Sequence, residues 1–210
     1  MAATRVAVAL VSSPRASETE VTIPAPSLRY PMSDYDAIVY DLDGTLVDLD
    51  VDWDAVAADV LEVYESAAVE PPSQDLWGLL GGASDVGLGS EVESAIAAHE
   101  REGATTAPRL GHADELLERS VPVGVCSLNC EAACRIALEE HDLVHAVDAV
   151  VGRDTVATRK PHPEPLLEAV DRLEADPGAS LFVGDSERDQ VTAERAGVAF
   201  EYVGDGPSGV

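Results

Sequence analysis

The sequence predicts a doubly wound α/β fold, a parallel sheet flanked by helices, with a small helical cap inserted after the first strand. Three observations predict it. Five short stretches rich in β-prone residues are almost unbroken in hydrophobicity, as strands buried on both faces of a parallel sheet are. Helical patterns alternate with them along the chain. One interval, between the first two strands, is too long for a simple crossover and itself reads as helical.

The first strand is Ala37–Tyr40, four apolar residues that run directly into Asp41. The long interval follows. Trp53, Val56, Ala57, Val60, Leu61 and Tyr64 recur at i, i+3, i+4 and i+7, the spacing of an amphipathic helix. Pro71 and Pro72 end it, and a helical piece over 74–80, a glycine-rich turn over 81–89 and a helix over 91–101 come next. The remaining strands are expected at 121–126, 146–151, 181–183 and 198–203, with helices over 130–140, 165–174 and 190–196 between them. Residues 32–46 and 110–210 therefore form the core and 47–109 the cap. Residues 1–31 differ in character, with a short apolar stretch and then a Pro/Ser-rich segment. They read as a disordered tail or a mis-assigned start, with Met32 as the natural beginning.

Charge limits the partners. Forty acidic residues face thirteen basic ones, a formal net charge of -27, and the thirteen comprise twelve arginines and one lysine, Lys160. Such a surface repels nucleic acid and anionic lipid. No apolar run approaches the roughly 20 residues needed to span a bilayer. The acids are spread along the chain instead of clustering in a block, which argues against a dedicated patch for a basic partner. The pattern fits a cytoplasm at molar salt, where a Debye length of about 3 Å screens self-repulsion, and the composition resembles that of halophilic archaea. Cys126, Cys130 and Cys134 fall within nine residues, an odd count that offers no disulfide framework and reads as buried apolar packing in a reducing compartment.

Four elements carry chemistry. Asp41 and Asp43, in the run DLDGTL at 41–46, stand where α/β proteins hold ligands, at the carboxyl end of a strand. Asp185 and Asp189, in GDSERD at 184–189, follow another apolar strand. Several carboxylates in one cleft call for a cation, and oxygen donors of this kind suit Mg²⁺. Lys160 in KPHPEP is the only lysine of a chain that avoids lysine, so a compact ammonium is wanted there, as it is beside a phosphoryl oxygen. Ser127, with Asn129 close behind, either donates to a phosphate or caps the following helix.

In this order the four elements resemble the motifs of the haloacid dehalogenase superfamily, over about residues 36–204. The inserted helices are similar to the caps of its phosphoglycolate phosphatase-like members. The resemblance implies a phosphatase in which Asp41 attacks phosphorus and Asp43 moves protons to the leaving group and from water. It implies Mg²⁺ held by the Asp41 carboxylate, the Asp43 backbone carbonyl and Asp185, with Asp189 in support. Ser127, Asn129 and Lys160 would bind the phosphate of a small-molecule ester, phosphoglycolate or a sugar phosphate. A phosphomutase and a non-catalytic binding protein are the alternative members. Dehalogenation is disfavoured because a halide leaving group needs no acid at the position of Asp43. In the cap, Arg101 and Arg109 are the cations that could meet a substrate, and the number of chains in the active assembly is left open.

Overall fold

The fold is described from a computed structural model covering residues 35–204. The expectation for residues 1–31 lies outside the described residues. Five parallel strands, β1 (Ala37–Tyr40), β2 (Val123–Cys126), β3 (Ala149–Val151), β4 (Ser180–Gly184) and β5 (Ala199–Tyr202), form one sheet in the order β3-β2-β1-β4-β5. Every residue of β1 through β4 is buried, which is why these segments read as unbroken apolar runs. The chain builds β1, β2 and β3 outward to one side, then crosses to the other side of β1 for β4 and β5. The strand order thus reverses at β1, and ligands of open α/β sheets bind outside the carboxyl ends at such a point.

Helices α1 (Trp53–Ser66), α2 (Leu76–Ala83), α3 (Gly89–Ala104) and α4 (His112–Leu117) lie between β1 and β2. After them come α5 (Glu131–Glu140), α6 (Glu164–Arg172) and α7 (Glu187–Ala196). Asp52 and Asp75 cap α1 and α2 through their carboxylates. Helices α1 to α3 share an apolar cluster of their own, built on Val56, Val60, Tyr64, Leu79, Val92 and Ile96. A second cluster joins β1, β3 and β4 to α6 through Val39, Val151, Phe182, Leu166 and Val170. No described helix is long and apolar enough to cross a membrane.

Three details differ from the sequence expectation. The turn expected over 81–89 begins as the last part of α2, in which Gly82 lies where the Pro72 ring leaves no room for a Cβ. Strand β3 starts at Ala149, the preceding residues forming a 3-10 turn over Val144–Ala146. The short helix α4 was not anticipated at all.

Candidate active site

Three strand ends converge. The Asp41 amide donates to the Val183 carbonyl at 2.8 Å, so the β1–β4 ladder runs one residue past Tyr40. Ser127 does the same beside β3, its amide 2.9 Å from the Val151 carbonyl. Asp185 follows β4 directly. Because β1 lies between β2 and β4, these three side chains share one edge of the sheet. Gly44, at φ +77°, turns the chain back past Asp185 so closely that any Cβ would overlap its Oδ2.

Lys160 is buried behind this edge. Its Nζ lies 3.0 Å from Asp41 Oδ1 and 2.5 Å from Asp189 Oδ1, and donates to the Cys126 carbonyl at 3.2 Å. Burial pulls its pKa down, but Asp189 and Asp41 outweigh that and hold the ammonium above its ordinary range. Asp189 is fully buried, and its other oxygen accepts from the Ser186 hydroxyl at 2.5 Å and amide at 3.2 Å. Both Asp189 oxygens are therefore engaged, one by the lysine and one by the N-terminal cap of α7.

The two acids of the first motif differ in environment. Burial pushes Asp41 up to about 8, with Lys160 opposing and Asp189 adding to the rise. Burial also raises Asp43, to about 6, although the Leu49 amide donates to its Oδ1 at 2.8 Å. An acid of that strength both gives and takes a proton near neutral pH.

Carboxylate oxygens of Asp41, Asp185 and Asp189 lie within 4.8 Å of one another, the only such acidic group among the described residues. Asp41 and Asp185 line the cleft and Asp189 does not, so the first two are the carboxylates placed to take a hard cation, which would offset the burial that raises Asp41. The Asp43 side chain is not in this group, so only its backbone carbonyl would contribute. The donor set fits Mg²⁺.

Ser127 and Asn129 line the cleft above these groups. Ser127 Oγ donates to Asn129 Oδ1 at 3.0 Å and accepts from the Asn129 amide at 3.2 Å. It does not cap α5. The orphan amide at Cys130 is instead met by Glu100 Oε2 at 3.0 Å, reaching across from α3. Arg153 pairs with Glu100 and Glu93 and donates to the Leu128 carbonyl at 2.7 Å. This buried network ties α3 to the loop carrying Ser127 and Asn129, and nothing in the spacing of its members announced it.

The cleft, of about 910 Å³, is also lined by Trp53, Leu76 and Trp77 from α1 and α2, and by Arg188 of α7. These were missed. The chain has only two tryptophans, and that both face one cleft is the signal their scarcity offered. Of the expected cap cations, Arg101 is exposed and Arg109 pairs with Asp114, and neither lines the cleft. All three cysteines are buried, with Cys126 pushed up to about 12 and Cys130 to about 11 by burial, as inert packing thiols are.

Residues 96–203 match the family model described as haloacid dehalogenase-like hydrolase. The chain is 33% identical to a phosphoglycolate phosphatase of Rhodospirillum rubrum over 184 residues, 77% of this chain and 76% of the relative. It is 33% identical to the pyrophosphatase PpaX of Oceanobacillus iheyensis over 85 residues, 40% of each chain. Among solved structures, a HAD-superfamily hydrolase of subfamily IA from Geobacter sulfurreducens is similar at 28% identity. The TM-score is 0.54, over 79% of this chain and 88% of that one.

Proposed function

The chain belongs to the haloacid dehalogenase-like hydrolases and is a phosphatase of that family, and we propose that it is a Mg²⁺-dependent enzyme that cleaves small phosphate monoesters through a phosphoryl group carried on Asp41. The observation that carries this reading is the pairing of Asp41, 3.0 Å from Lys160, with Asp43, an acid poised at about 6, two positions on.

In the first step an Asp41 oxygen attacks phosphorus, the bond to the ester oxygen breaks, and Asp43 gives its proton to the departing alkoxide. In the second, Asp43 takes a proton from water, which attacks the same phosphorus and releases inorganic phosphate and the Asp41 carboxylate. Lys160 offsets the anionic charge gathered around Asp41, while Ser127 and Asn129 offer donors to the phosphoryl oxygens. Asp189 acts on Lys160, holding its ammonium in place. Asp41, Asp185 and the Asp43 carbonyl would hold Mg²⁺, which would supply charge neutralisation for the transferred group. Residues 47–109 serve as the cap over the substrate. Phosphoglycolate and related small esters are the substrates of choice, by analogy with the relatives' activity. The net charge of -27 supports the reading of an enzyme that works in a saline cytoplasm, where salt screens self-repulsion.

Hydrolysis of p-nitrophenyl phosphate with Mg²⁺, in dilute buffer and in molar KCl, tests the reading. Wild type is expected to turn over, faster and for longer in KCl. Asp41→Asn is expected to lose about 10³-fold or more, as loss of a nucleophile does. Equal rates for the two proteins would remove Asp41 from the mechanism.

A further inference from the structure

Arg188 is out of place by ordinary electrostatics. It occupies the first turn of α7, two residues past the capping Ser186, where the helix dipole favours anions and disfavours a cation. In this acid-rich chain Arg109, Arg119, Arg135, Arg153 and Arg172 each pair with a carboxylate. Arg188 has no carboxylate partner among the described residues. Its guanidinium instead lies over the Trp77 ring, 5.1 Å from carbon to centroid, on the wall of the cleft that holds Asp41 and Asp43. Glu187 before it is exposed and lines the same cleft, whereas Asp189 after it turns inward to Lys160.

Stacking suits a binding role. A guanidinium held over an indole ring is restrained by the ring's charge distribution, yet its N–H donors stay available to an anion. Trp77 is held in turn, for Arg159 approaches its carbonyl at 3.4 Å. Lys160 lies buried behind Asp41, leaving Arg188 as the cation on the cleft lining. The rest of that lining is apolar, hydroxyl, amide or acidic, and offers a second anion no other cation.

We propose that Arg188, braced by Trp77, is a specificity residue that binds a second anionic group of the substrate, a carboxylate or a further phosphate. The enzyme then prefers phosphorylated hydroxy acids or polyphosphorylated compounds to esters with uncharged tails. This rests on the phosphatase reading above. Cap and core each contribute one half of the subsite, Trp77 from α2 and Arg188 from α7.

The test compares kcat and KM of wild type, Arg188→Met and Arg188→Lys on phosphoglycolate, pyrophosphate and p-nitrophenyl phosphate. For Arg188→Met, the preference for a doubly anionic substrate over p-nitrophenyl phosphate is expected to fall about 10- to 100-fold, the loss of one or two charge-assisted hydrogen bonds. The change should lie in KM, and Arg188→Lys should restore part of it. A larger fall with phosphoglycolate assigns the carboxylate, and a larger fall with pyrophosphate assigns the phosphate. An equal loss on all three compounds, or no loss, overturns the proposal while leaving the phosphatase reading intact. Wild type that hydrolyses none of the three overturns both.

Discussion

Asp41 and Asp43 are separated by one residue and stand in different electrical surroundings. Asp41 is buried against Lys160 and Asp189, and Asp43 is held by the Leu49 amide. The pKa of Asp41 is raised in the folded protein to about 8, well above its unfolded value of about 3.9. Between those values the folded state binds the extra proton, so stability from this group falls as pH rises across that window. A cation on the same carboxylate competes with the proton and gains as pH rises. Mg²⁺ should therefore raise the melting temperature more at about pH 8 than at about pH 6, with the difference lost in Asp41→Asn. Thermal denaturation with and without Mg²⁺ measures this, and a larger gain at the lower pH would count against a cation at Asp41. The gathering of Asp41, Asp43, Lys160 and Asp185 at one place was legible because each is tied to a strand end or to a departure from composition. Arg188 was not, although it sits inside the 184–189 run. Its meaning depends on Trp77, more than a hundred residues earlier.

At the scale of elements, the strands were readable because burial on both faces demands apolar or small side chains along β1 to β4, with Ser180 at the start of β4 the polar exception. Helix α1 was readable from its one apolar face. Helix α4 was not, because six residues complete too few turns to display a period. The link between α3 and α5 was also invisible, since it runs through charges. Glu100 and Arg153 are both buried, and Glu100 also receives the Cys130 amide that begins α5. Glu100→Ala leaves a buried guanidinium partly unpaired and should lower stability by about 3 kcal/mol, the low end for a broken buried pair because Glu93 remains. Urea denaturation checks it. The same substitution should slow hydrolysis by loosening the loop of Ser127 and Asn129, whereas a change below about 0.5 kcal/mol, as at ordinary surface sites, would mean that the network is dispensable.

At the scale of the molecule, the sheet order β3-β2-β1-β4-β5 explains why four separate stretches of sequence meet at one cleft. The central strand ends in Asp41, its neighbours end beside Ser127 and Asp185, and the loop after β3 delivers Lys160 from behind. The excess of acid over base dominates the composition, while at the site Asp41, Lys160 and Asp189 hold one another. Helices α1 and α2 add an apolar wall from Trp53, Leu76 and Trp77 around a cleft whose floor is charged. All of this turns on Asp41 as the atom donor to phosphorus. The most direct measurement is mass analysis of the Asp41 peptide from protein acid-quenched during turnover of p-nitrophenyl phosphate, with Asp43→Asn used to slow release. The account predicts one added phosphoryl group on Asp41 and none in Asp41→Asn. A phosphoryl group on another residue, or continued turnover by Asp41→Asn with no adduct, would contradict it.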